Sequence, residues 1–146
     1  MLASNHFHPM VVHFPIALVI AGFCIDAFTL FFCHKAKGLS KAGFILLIMG
    51  TLGAVAGYFT GEYFTREMLA GSAEDQLKEL HEFWAKTAMY ILIGVSVLRI
   101  YARWSAHEKG ALKWFIFLAM MAATAAIAYS GFLGGSLVHD YMIPAL

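Results

Sequence analysis

Long apolar runs separated by short polar connections organise this chain of 146 residues. Four runs have the length of a membrane-crossing helix, which needs roughly 17–25 mostly apolar residues. They are Met10 to Cys33, Ala42 to about Phe64, Phe83 to about Ile100 with its helix carried to Trp104, and Leu112 to Leu133. The pattern predicts an all-α integral membrane protein, a single four-helix bundle covering residues 1–146. The nine residues before the first run, MLASNHFHP, carry no Lys or Arg. A cleaved leader opens on a basic segment, so this run is expected to be a retained helix.

Composition sharpens the reading. Hydrophobic residues make up 61% of the chain and charged ones 13%, with a mean hydropathy of +0.74. Soluble domains lie near 45–50% and about 25%, so a water-soluble fold is excluded. A formal charge of +1 with no basic–aromatic alternation excludes a nucleic-acid partner. Cys24 and Cys33 stand nine apart in one run, which gives no disulfide framework.

The placement of Lys and Arg orients the helices, because basic connections stay cytoplasmic. Lys35, Lys37 and Lys41 follow the first run, and Arg99, Arg103, Lys109 and Lys113 surround the third connection. Both termini and the acidic second connection, which holds Glu62, Glu67, Glu74, Asp75 and Glu79, are then expected outside. Helices should project beyond the membrane there. Ser72 suits an N-cap with Glu74 and Asp75 in the first turn, and Leu77, Leu80, His81, Trp84 and Ala88 follow at helical spacing.

Small residues form faces on two helices: Gly53, Gly57 and Gly61 on the second, and Ala119, Ala122, Ala123, Ala126 and Ser130 on the fourth. Such faces chiefly serve close helix packing, and spare ones can pack against another copy or a partner. They can also wall a planar cofactor.

Seven histidines are many for so apolar a chain. On the topology above, His6, His8, His13, His81 and His139 lie toward the outer face, whereas His34 and His107 sit in lysine-bearing loops. His13, His81 and His139 fall within two turns of one level, with His139 on the face of Gly131 and Gly135. Alone, each outer histidine reads as an interfacial side chain. Together they suggest a ligand layer, since ionisable groups near a span mark functional sites.

Imidazoles from two helices and an apolar pocket suit haem b. In an up-down-up-down ring, the first and third helices are diagonal and carry His13 and His81. The other diagonal carries the small-residue faces, including Gly57, Gly61, Gly131 and Gly135. Arg66, Lys78 and Lys86 lie near the same level and could receive propionates. The competing reading is a zinc or copper protein, binding or transporting the metal through His8, His13, His81, His139, Glu82 or Asp140, with Met10 or Met142 for copper. A third is a scaffold subunit that packs its small-residue faces against partner helices. No nucleophile and base share a level and no phosphate loop is present, which favours electron transfer over a stand-alone enzyme.

HPMVVHFPIAL from His8 to Leu18, Asp26 beyond it, and the closing Gly134, Gly135, Leu137 and Val138 resemble a bacterial membrane-domain family of unknown function. Its members open His-Pro-x-x-Val-His-Phe-Pro. They are similar in pattern to membrane b-type cytochromes, some beside c-type cytochrome modules. The resemblance covers the whole chain and implies four helices and haem ligation by His8, His13 and His81. His139 stands where the family tends to have Tyr. These expectations give haem b in one copy or two, with His13 and His81 as the first ligand pair and His8 and His139 as a second. They also imply a bacterial inner-membrane location with the site facing the periplasm, and a c-type cytochrome or quinone as redox partner.

Two charges interrupt the apolar runs. Counting down from His13 and His81 puts Asp26 and Arg99 about 20 and 27 Å deep, within reach of a structural ion pair. Pro9 is expected at the first helical position with His8 as cap, and Pro15 as a kink.

Overall fold

Once placed in lipid, each apolar run must satisfy its own backbone polar groups, and the helix is the structure that does so within one segment. The computed structural model describes residues 7–33, 36–64, 71–105 and 110–139, with side chains described from residue 11 and, in the second segment, to residue 61. These form α1 (Phe7–Phe31), α2 (Lys37–Phe64), α3 (Ala73–Trp104) and α4 (Gly110–Leu137). All four are long and apolar enough to cross a membrane. The protein is an all-α multi-pass membrane bundle.

Local chemistry sets the start of α3. Ser72 caps α3: its Oγ accepts from the Asp75 N–H at 3.1 Å, with Glu74 and Asp75 in the first turn. Asp75 reaches back to accept from the Gly71 N–H at 2.9 Å, and Gly71 holds a left-handed φ of 78° that other residues rarely adopt. At α1 the helix begins at Phe7, so His8 lies inside the first turn and is not the cap expected from the sequence. Pro9 still falls where a missing N–H costs nothing. The helix also runs through Pro15, and α4 passes Gly134 and Gly135 intact before widening into a π-type turn at Val138 and His139.

The helices stand in ring order. α1 packs on α2 and α4, and α3 packs on the same two, leaving α1–α3 and α2–α4 as diagonals. The α1–α2 seam is a small-residue seam. A Cβ on Gly53 would meet Pro15 Cβ at 3.1 Å, one on Gly50 would meet Val19 Cγ2 at 2.7 Å, and one on Gly57 would meet Val12 Cγ1 at 3.3 Å. On α4, Ala123, Ala126 and Ser130 are buried, whereas Ala122 is exposed. The core is a central column with Val19, Leu47, Leu92 and Met120 fully buried. One buried polar contact crosses it, Thr51 Oγ1 to Ser96 Oγ at 2.8 Å. Aromatic and aliphatic side chains such as Phe28, Leu52, Val97 and Phe132 cover the exposed outer surface, as a lipid-facing belt requires.

Candidate functional site

α3 presents one stripe to the bundle axis. Ala88, Leu92, Val95 and Arg99 lie along it, all buried. His81 heads the same stripe, 18 residues before Arg99, which is five full turns and about 27 Å. The imidazole is half-buried and held from α4. Its Nδ1 lies 2.8 Å from the Ser130 carbonyl oxygen and 3.1 Å from the Ser130 Oγ, and that hydroxyl donates to the His81 carbonyl at 3.3 Å. A carbonyl only accepts, so Nδ1 carries a proton. Ligating histidines are commonly oriented in this way, with one ring nitrogen anchored by a protein acceptor.

Gly134 makes room for the ring. A Cβ there would stand 3.0 Å from His81 Cε1 and 3.3 Å from Nδ1, whereas one on Gly135 would meet nothing within 4 Å. Trp84 borders the site on α3, edge-on to Tyr129 of α4 with centroids 5.5 Å apart, and Tyr129 stacks on Phe132 at 6.5 Å.

The other expected site residues are more scattered. His13 is exposed, on a flank of α1 shared with exposed Ala17 and Ile20. His139 is exposed at the end of α4. His8 lies within the α1 backbone helix, but its side chain is outside the described residues, and Arg66, His34, His107 and Asp140 are outside them altogether. Lys86 bonds Glu82 at 3.4 Å and stands 5.8 Å from the Tyr58 ring centroid, while Lys78 approaches Glu82 at 3.7 Å. Gly57 is taken up by Val12 and Gly131 by Ile16, whose Cδ1 a Cβ would approach to 2.9 Å. Gly61 is half-buried on α2. Among the described residues, no three His, Cys, Asp or Glu side chains converge as a metal cluster would.

The opposite end of the α1–α3 diagonal is closed by charge. Arg99 makes a bidentate bond to Asp26, donating from Nη1 to Oδ2 and from Nη2 to Oδ1, the latter at 2.8 Å. The guanidinium is 5% exposed and the carboxylate 11%. This is the ion pair that depth counting predicts. It also sets the register between the two helices: residue 26 of α1 meets residue 99 of α3, an offset of 73. The same offset puts position 8 of the α1 backbone at the level of His81, five turns up the stripe of Asp26. Position 13 is about 140° round the helix from that stripe.

No curated protein and no solved structure matches the chain. A family described as "Predicted membrane protein (DUF2231)" matches residues 5–145. That match covers all four helices and both ends of the diagonal, and the chain therefore belongs to this family of membrane proteins.

Proposed function

We propose that the protein is a membrane-bound b-type cytochrome that holds haem near its histidine-bearing end and passes electrons there as a redox subunit. The observation that carries this is His81: an imidazole on the axis-facing stripe, fixed through Nδ1 by the Ser130 carbonyl. The residues fit the group. Gly134 leaves the ring its space, and the Trp84–Tyr129 pair supplies apolar walls. The register between α1 and α3 supports position 8 as the second ligand, ahead of His13 on its exposed flank. Bound haem would supply one-electron redox chemistry.

The protein's own residues do the rest. The Ser130 carbonyl orients the His81 ring. Lys86 and Lys78 lie on α3 near the same level, where they can meet acidic groups once released from Glu82. Among the described residues, five of the seven Lys and Arg sit at the far end, around Lys37 and Arg103. The positive-inside rule then turns the histidine end outward, toward the periplasm across a bacterial inner membrane, where a c-type cytochrome or a quinone would exchange electrons.

The test is the visible spectrum of dithionite-reduced protein purified from cells supplied with haem. A Soret band is expected. His81→Ala and His8→Ala should each convert or abolish it, and His13→Ala should leave its position unchanged. Wild-type protein with no Soret band removes the proposal.

A further inference from the structure

The Lys- and Arg-bearing end of the bundle holds a cavity of about 410 Å³. That size lies in the roughly 300–1,000 Å³ range of small-ligand clefts. All four helices contribute to it: Asp26, Thr29 and Cys33 from α1 and its end, Lys37 and Ser40 from the first turn of α2, Arg99 and Arg103 from α3, and Lys113 from the first turn of α4. Among the described residues the lining holds four cations and one carboxylate, and that carboxylate is engaged by Arg99.

Positive charge at a cytoplasmic boundary ordinarily sits on flexible side chains that reach outward into water. These arginines are fixed instead. Arg99 is held bidentately by Asp26. One turn on, Arg103 Nη2 donates to the Ser40 carbonyl at 2.7 Å and to its Oγ at 2.9 Å, and the guanidinium lies 4.5 Å from the Phe44 ring centroid. Lys37 and Lys113 face these arginines across the cavity from the opposite diagonal, and neither α2 nor α4 has an acidic residue in its first turn. A preorganised guanidinium with lysines lining the same cavity is the chemistry that receives a phosphate. Basic pockets between membrane helices on this side take anionic headgroups.

We infer that this cavity binds a phosphate-bearing anion, with Arg103 as the fixed cation beside the neutralised Asp26–Arg99 pair and Lys37 and Lys113 as the further cations. Its source is either a soluble phosphate or the headgroup of an anionic phospholipid. The inference does not depend on haem at the other end.

The experiment is thermal unfolding of the protein in phosphatidylcholine nanodiscs, followed by the fluorescence of its tryptophans. Inorganic phosphate is titrated against chloride of matched ionic strength, and in a second arm phosphatidylglycerol replaces part of the lipid. A rise in midpoint with phosphate alone assigns the pocket to a soluble anion, and a rise with phosphatidylglycerol assigns it to a headgroup. Either supports the inference. The double variant Lys37→Gln/Lys113→Gln should weaken the apparent affinity about thirtyfold, the loss expected for two near-surface lysines. Lys41→Gln, which removes a charge at the same end but outside the cavity, should leave it unchanged. No rise with either probe, a full rise in the double variant, or an equal loss in Lys41→Gln would overturn the inference.

Discussion

α3 carries two ionisable side chains on one stripe, and the two ends of the bundle treat them differently. At one end Arg99 meets a carboxylate across the diagonal, and both charges are nearly removed from solvent. At the other, His81 is tied by Nδ1 to a neutral carbonyl on the adjacent helix α4. The first is a closed unit: each charge neutralises the other, and the geometry that buries them also locks α1 to α3. The second is a neutral hydrogen bond to a neighbouring helix, which orients the ring without joining the diagonal. A buried charge met by its opposite fixes the register of two helices; a ring anchored to a carbonyl has its own orientation fixed.

The largest expected effect comes from opening the closed end. Asp26→Ala leaves the Arg99 guanidinium buried without its counter-charge, which should cost about 3–5 kcal/mol. The check is unfolding of the variant in detergent micelles. Removing both charges with Asp26→Leu/Arg99→Met should restore most of the loss, since apolar replacements of a buried pair are near neutral. If Asp26→Ala unfolds like the parent, the pair does not hold the diagonal, and the register argument for position 8 and His81 goes with it.

That pair was legible in the sequence because Asp26 and Arg99 are isolated charges inside apolar runs, and rise per residue alone puts them within reach. The Ser72 cap was legible for a similar reason, with local chemistry at fixed spacing. The four helices followed from length and hydropathy, and the small-residue faces on α2 and α4 could be read as faces. What fills them could not, because Val12, Pro15 and Ile16 look like any other apolar residues of α1. The layer of histidines was inferred from depth, and depth ignores rotation. His13 has a suitable level, yet it stands on an exposed flank, and the azimuth emerges only once the Asp26–Arg99 contact fixes how α1 is turned. The Ser130 carbonyl that anchors His81 had no signal at all, since every residue has a carbonyl. Lys37, Arg103 and Lys113 read as loop charges until the four helix ends enclosed a cavity between them.

A second prediction sharpens the contrast at the histidine end, using two adjacent glycines. Gly134→Ala puts a methyl group 3.0 Å from His81 Cε1, so the ring must shift by a few tenths of an ångström or turn away from Ser130. Overpacking of this kind should cost about 1–3 kcal/mol and, on the proposed haem ligation by His81, displace the Soret maximum. Gly135→Ala meets nothing within 4 Å and should leave both stability and spectrum unchanged. Equal behaviour of the two variants would mean that the position of the imidazole does not matter to the site.

The smallest effect lies midway between the ends, where α2 and α3 share the Thr51–Ser96 hydrogen bond. Ser96→Ala removes one hydroxyl from a contact that is buried on both sides. Thr51 Oγ1 keeps its bond to the Leu47 carbonyl at 2.8 Å, so no donor is left stranded. The loss should therefore be near the average for an interhelical hydrogen bond in a membrane, about 0.6 kcal/mol. Unfolding in micelles resolves that against the several kcal/mol of Asp26→Ala. Such a gradient, from the charged end to the middle of α3, is what a bundle held at its closed end by a diagonal ion pair should show. A loss at Ser96 as large as that at Asp26 would move the lock from the Asp26–Arg99 diagonal to the α2–α3 seam.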